Sequence, residues 1–96
     1  MSDPEIISLE TCCSSYNIEL EFIHSLEEYG LIRIRYRETK GFIEEEDVRL
    51  LEQFSRMYYD LNINVPGIDA LQHLLERIRQ LQQESEALRA KLRIYE

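Results

Sequence analysis

"IELEFIHSLEEYGLI", residues 18–32, sets the fold. On a helical wheel Ile18, Phe22, Leu26 and Tyr29 cluster on one side with Ile23 at the margin, which predicts a helix over about 18–29. Gly30 stands where a left-handed stop belongs. Upstream, "EIISLETCCSSYNI" (5–18) begins with an apolar pair, Ile6 and Ile7, and offers Ser8 as a helix N-cap. Thr11 follows three residues on, where a complete capping box would carry Glu. Leu9 and Cys12 or Cys13 supply the inner stripe of a short helix ending near Ser15. Two short helices joined by a tight turn form a helix-turn-helix unit. The charge of the second helix is unusual for such a unit. It carries Glu19, Glu21, Glu27 and Glu28 and no Lys or Arg, whereas a helix that binds a polyanion needs bases.

Downstream, "LIRIRYRETKGFI" (31–43) sets Ile32, Ile34 and Tyr36 in alternation with Arg33, Arg35 and Arg37. This is strand periodicity with one solvated face. Thr39, Lys40 and Gly41 supply a turn and Phe42–Ile43 a short return strand, giving a two-stranded wing. "EEEDVRLLEQFSRMYYDL" (44–61) reads as a third helix with acids in its first turn, where they suit the dipole. Its predicted buried stripe is Val48, Leu51, Phe54, Tyr58 and Leu61. The cluster Phe54, Tyr58 and Tyr59 is read as core and as support for the helix that follows. "NINVPG" (62–67) breaks the helix and places Pro66 at N1 of the next. The chain divides into a winged helix-turn-helix head over 1–65 and a C-terminal dimerisation helix over 66–96.

That last helix has no Pro or Gly beyond Gly67. Leu71, Ile78, Ser85 and Leu92 fall seven apart, as do Leu74, Leu81, Leu88 and Tyr95, which is an a/d seam interrupted by one polar residue. A head of this size is too short to cover roughly 45 Å of helix. A self-associating coiled coil over 68–95 is therefore expected, and with it a homodimer.

Net charge is −8 and the pI about 4.8. Residues 1–32 hold seven acids and no base, residues 33–43 hold Arg33, Arg35, Arg37 and Lys40 against Glu38, and residues 44–65 hold six acids against two bases. One short basic ribbon thus lies between two acidic segments. No nucleophile–base pair, phosphate loop or carboxylate dyad can be assembled, so an enzyme is not expected. His24 and His73 have no further ligand at metal spacing, so neither a metal nor a cofactor is expected. Cys12 and Cys13 are adjacent and read as one buried and one near-surface thiol. With no basic-then-apolar leader and no long apolar run, a cytoplasmic protein without a membrane segment is expected.

Helix-turn-helix, wing, helix, Pro/Gly break and a long terminal helix resemble the MerR-like winged-helix superfamily. The stretches "YGLIRIR", "IEEEDVRLLEQF" and "LNINVPGIDALQHLLERIRQL" carry the resemblance. More narrowly, the chain is similar to the CbpM family of chaperone modulators. That resemblance implies binding to the J-domain of a DnaJ-like, CbpA-type co-chaperone and restraint of its activity. It also implies a mainly α fold, with a β-hairpin wing and a C-terminal coiled-coil helix. The DNA-binding members carry bases on the second helix and paired tyrosines before the Gly-Leu. Here Glu21 and His24 fall where the arginines would be, Ser25 and Leu26 where the tyrosines would be, and Phe42 follows the wing glycine. J-domains present a basic helix, and an acidic face with one apolar residue suits it. Leu20, Glu21, His24 and Glu28, flanked by Glu44 and Asp47, are the expected partner-binding residues. Leu71, Leu74, Ile78, Leu81, Leu88 and Leu92 are the expected dimerisation residues. The alternative is a small MerR-type DNA-binding transcription regulator that uses Arg33, Arg35, Arg37 and Lys40. It is disfavoured because a wing positions while the major-groove helix reads bases. A third reading is an adaptor whose head only caps the coil.

Overall fold

Ser8 opens the first helix as its cap: its hydroxyl oxygen accepts the Thr11 amide at 3.1 Å and lies 2.8 Å from the Thr11 hydroxyl. The computed structural model describes residues 5–95; Met1–Pro4 of the head segment and Glu96 of the terminal helix lie outside them. The elements run β1 (Ile6–Ser8), α1 (Leu9–Tyr16), α2 (Leu20–Glu28), β2 (Arg35–Arg37), β3 (Lys40–Glu44), α3 (Glu45–Ser55), a π-helical turn (Arg56–Asp60) and α4 (Val65–Tyr95). The chain is a mainly α winged helix-turn-helix with a long C-terminal helix.

Both helices of the helix-turn-helix stop by the same device. Asn17 takes a left-handed φ of 53°, and the Asn17 and Ile18 amides both donate to the Cys13 carbonyl. Gly30 takes φ 72°, the Gly30 amide donates to Glu27 at 2.9 Å and the Leu31 amide to Leu26 at 2.9 Å. These last two bonds are the Schellman pair, closed by half-buried Leu31 packing on the core.

The sheet differs from the expected two-stranded wing. Its order is β1-β3-β2, all antiparallel, with Ile7 opposite Ile43 and Tyr36 opposite Gly41. The pair Ile6–Ile7 is therefore an edge strand, held by a partner far along the chain, and the Glu45 amide donates to the Glu5 carbonyl at 3.1 Å beside it. The hairpin turns at Glu38–Thr39, with Glu38 at φ 58°, so Lys40 and Gly41 belong to β3 rather than to the turn. Gly41 is needed for close approach: a Cβ there would lie 2.6 Å from the Leu9 Cδ1.

The core gathers Leu9 and Cys12 of α1, Phe22, Ile23 and Leu26 of α2, Ile43 of β3, Val48, Leu51 and Phe54 of α3, and Val65 and Ile68 of α4. The expected stripe of the third helix is corrected beyond Phe54. In the π turn the Leu61 amide reaches back five residues to Arg56, which adds a residue to the turn and shifts the phase. Met57 packs on the core instead, and Tyr58 and Leu61 are exposed. The aromatic cluster is accordingly Phe22, Tyr58 and Tyr59, with Phe54 buried separately.

The last helix begins one residue earlier than expected. The Asn64 carbonyl accepts the Ile68 amide and its side-chain oxygen accepts the Gly67 amide at 2.8 Å. Asn64 is thus the N-cap, and Pro66 stands at N2, not N1. Val65 and Ile68 dock the first turn on the head, and Leu71 is half-buried. From His73 to Tyr95 every residue is exposed. The radius of gyration is 17.9 Å, whereas a compact chain of this length would have about 12–13 Å. The helix projects away from the head and does not fold back on it.

Candidate partner-binding site

The helix that carries the candidate residues is held at both ends and along its inner face. Phe22, Ile23 and Leu26 of α2 are buried, and the Schellman turn closes its C-terminus. Its N-cap residue Glu19 makes no side-chain capping bond. Instead the Glu19 amide donates to the Tyr59 hydroxyl oxygen at 3.1 Å. The Tyr59 ring packs against Phe22 with centroids 5.5 Å apart, and the Tyr58 ring does so at 4.5 Å. The π turn thus sets the entry of a helix forty residues earlier. No sequence signal marks Tyr59 for this task, because the contact depends on the phase shift that the π turn introduces. Tyr59→Phe is expected to lower stability by about 0.5–1.5 kcal/mol, the usual worth of one hydrogen bond, read as a lower urea midpoint at unchanged slope.

With the inner face fixed, Leu20, His24 and Glu28 form a row on the outer face of α2, with Glu21 beside it. Leu20 is 47% exposed. His24 Nδ1 lies 3.9 Å from a Glu27 carboxylate oxygen. Leu20 and His24 form one wall of a groove of about 620 Å³. Leu9, Glu10 and Cys13 of α1 lie along it, and the hairpin lines it with Tyr36, Lys40 and Phe42, of which Lys40 and Phe42 stand by register on the other face of the sheet from Tyr36. Register places Tyr36 opposite Gly41, so Tyr36 has the parity of the core-facing side. It is nevertheless 56% exposed, at the groove that it lines. Gly41, lacking a side chain, lets Leu9 and Ile34 pack against the strand there.

Two expected flanking residues have tasks inside the fold. Asp47 accepts the Arg33 amide at 2.9 Å, tying the segment before β2 to the first turn of α3. Glu44 pairs with the Arg35 guanidinium across the hairpin. Neither lines the groove. The basic residues are divided as well. Arg35 is engaged by Glu44, while Arg37 stands directly opposite Lys40 in register. Among the described residues Arg37 and Lys40 make no ion pair, nor do three or more His, Cys, Asp or Glu side chains gather as a metal set would. No helix of the described residues is long and apolar enough to cross a membrane.

Cys12 is buried and Cys13 half-buried, both as free thiols. Burial, then the neighbouring Cys13, pushes the Cys12 thiol above its ordinary range, and burial does the same to Cys13. A thiol whose pKa is higher folded than unfolded supports the fold fully below the unfolded value. That support is lost as pH rises through the folded value. The urea midpoint is therefore expected to fall from neutral toward alkaline pH, and Cys12→Ala to flatten that fall whatever its effect at neutrality.

A helix-turn-helix with a hairpin wing and an apolar groove between them defines a winged-helix regulatory protein. The family comparison makes this specific: residues 7–90 match the MerR HTH family regulatory protein model, and the chain belongs to that family. No curated protein and no solved structure matches it.

Proposed function

We propose that this MerR-family regulator acts on a protein rather than on DNA, by binding the J-domain of a DnaJ-like, CbpA-type co-chaperone and restraining it. One observation carries the reading. The exposed face of α2, where a DNA reader places bases, carries Glu21, Glu27 and Glu28 around Leu20 and His24, with no Lys or Arg. Such a face repels phosphate and attracts a basic helix. Leu20, Glu21, His24 and Glu28 are the contact residues, and Glu44 and Asp47 hold the hairpin and the first turn of α3 beside them.

The protein works as a homodimer through the exposed stripe of α4, with Leu74, Ile78, Leu81, Leu88 and Leu92 in the seam and Leu71 at its head end. Among the described residues no part of the head covers this stripe beyond Gln72. Exposed apolar stripes of this length are sites of association.

The test is titration of the purified J-domain onto the full chain, with a labelled DNA duplex titrated in parallel across a salt series. The J-domain is expected to bind saturably and the duplex not to. Rim charges mainly set association rate, so the double variant Glu21→Lys, Glu28→Lys slows association and flattens its salt dependence. Leu20→Ala mainly speeds dissociation, at a cost of about 1–2 kcal/mol. Saturable, salt-steep binding of the duplex together with no J-domain binding would favour the DNA-binding alternative, whose wing residues are Arg33, Arg35, Arg37 and Lys40.

A further inference from the structure

We propose that the partner is seated in the groove between α1, α2 and the hairpin, not on the outer face of α2 alone. The occupant is an amphipathic helix of bipolar charge. Its apolar residues enter between Leu20 and Tyr36, its basic edge lies along Glu21 and Glu28, and one carboxylate on its other edge meets Lys40. This deepens, and rests on, the reading of the protein as a J-domain-binding regulator.

Three observations converge. The first is apolar surface that the fold leaves open: Leu20 and Tyr36 are 47% and 56% exposed and line the same groove. Tyr36 points to the core side by register yet meets no core. The second is shape. The row Leu20, His24, Glu28 runs along about 12 Å of helix axis, close to two turns, the length over which a groove reads a helix through anchors at i, i+4 and i+7. The third is charge. Glu21 and Glu28 lie further round α2 than Leu20 and His24, outside the groove lining, which itself carries Glu10 on α1; Lys40, set by register on the other face of the sheet from Tyr36, reaches the groove at the hairpin tip. Arg37 and Lys40 are directly opposed across the hairpin. Like charges so placed repel, and among the described residues no acid is paired with either. A carboxylate from the partner relieves that repulsion. A nucleic acid would relieve it too, but only with its next phosphates against the acids of α2.

The experiment measures binding of the purified J-domain to the full chain and to Tyr36→Ala, Lys40→Glu, Lys40→Arg and the double variant Glu21→Lys, Glu28→Lys. Tyr36 and Lys40 are exposed and bond to nothing that holds the fold, so thermal unfolding should stay unchanged or, for Lys40→Glu, rise. Tyr36→Ala is expected to weaken binding about tenfold or more through faster dissociation, as an anchor does. Lys40→Glu should weaken it several-fold while Lys40→Arg preserves it. Cys13, which lines the groove, should lose reactivity to maleimide when the J-domain is bound. If Tyr36→Ala and Lys40→Glu bind like the unmodified chain while the α2 double variant does not, the groove is overturned and the α2 face stands. If the unmodified chain fails to bind the J-domain, both are overturned.

Discussion

Leu81→Glu is expected to convert a dimer into a monomer whose head stays folded. Leu81 sits midway along the projecting part of α4 and is 47% exposed in the single chain. Leu74, Ile78, Leu88 and Leu92 are exposed on the same stripe. Two copies of such a helix bury the stripe against each other, and each buried Leu contributes about 1.5–3 kcal/mol. A glutamate at the middle of the seam removes two of those contributions. It also forces two carboxylates into an apolar strip at a cost of several kcal/mol. Micromolar association corresponds to about 8 kcal/mol, so the loss is enough to leave monomers at that concentration. The partnerless helix beyond the head has no tertiary packing, and lone helices are marginal in water. Sedimentation should therefore give a mass near 11.5 kDa for the variant and twice that for the parent. Helical signal should fall while the urea midpoint of the head is kept. A parent that sediments as a monomer at micromolar concentration would sink the dimer. A variant that remains dimeric would move the interface off this stripe.

The parts of the fold that were legible in the sequence are those decided locally. Ser8 caps α1 because a hydroxyl three residues before a free amide can do so in any fold, and Gly30 stops α2 because few residues tolerate its φ. The apolar phase of α2 at Phe22 and Leu26 and the stripe Val48, Leu51, Phe54 follow from period alone, whereas Tyr29, read into the α2 stripe, lies past the helix end and is exposed. What was not legible depends on distant partners. Ile6–Ile7 becomes a strand only because β3 lies beside it. "RMYYD" has ordinary helix formers, and nothing in its composition reveals the π turn that rotates Tyr58 and Leu61 outward. Asn64 outcompeted Pro66 as the start signal because a side-chain oxygen satisfies a real donor, whereas proline merely lacks one. For the candidate site, the α2 row was readable as a face. The groove was not, since it depends on residues of α1, α2 and the hairpin brought together by the fold. The acidic helix and the basic wing read as rival sites in the sequence, and of the wing's basic residues only Lys40 lines the groove beside α2.

That arrangement gives the junction between head and helix a large role, and Ile68 is its centre. It is fully buried, as Val65 nearly is, and together they seat the first turn of α4 in the core beside the π turn. The turn into the helix is tight: a Cβ on Gly67 would lie 2.9 Å from the Ile63 side chain and 3.0 Å from the capping Asn64 oxygen. The direction in which α4 leaves the head is therefore set by packing, and in a dimer it sets where the two grooves face. Ile68→Ala removes buried methyl groups at a site whose neighbours cannot collapse freely, so a cost of about 2–5 kcal/mol is expected. Small domains are stable by about 5 kcal/mol at the lower end, and a head of this size belongs there. The variant should show a steeply lowered urea midpoint and partial unfolding near physiological temperature. Its dimer seam begins beyond the site of change, so association through α4 should persist at low temperature. J-domain affinity should fall only by the fraction of heads unfolded, and should recover on cooling. This is the converse of Leu81→Glu, which spares the head and abolishes the dimer. If Ile68→Ala instead abolished the dimer and left the urea midpoint unchanged, Ile68 would belong to the interface between copies, and the head would have to present its groove by some other contact.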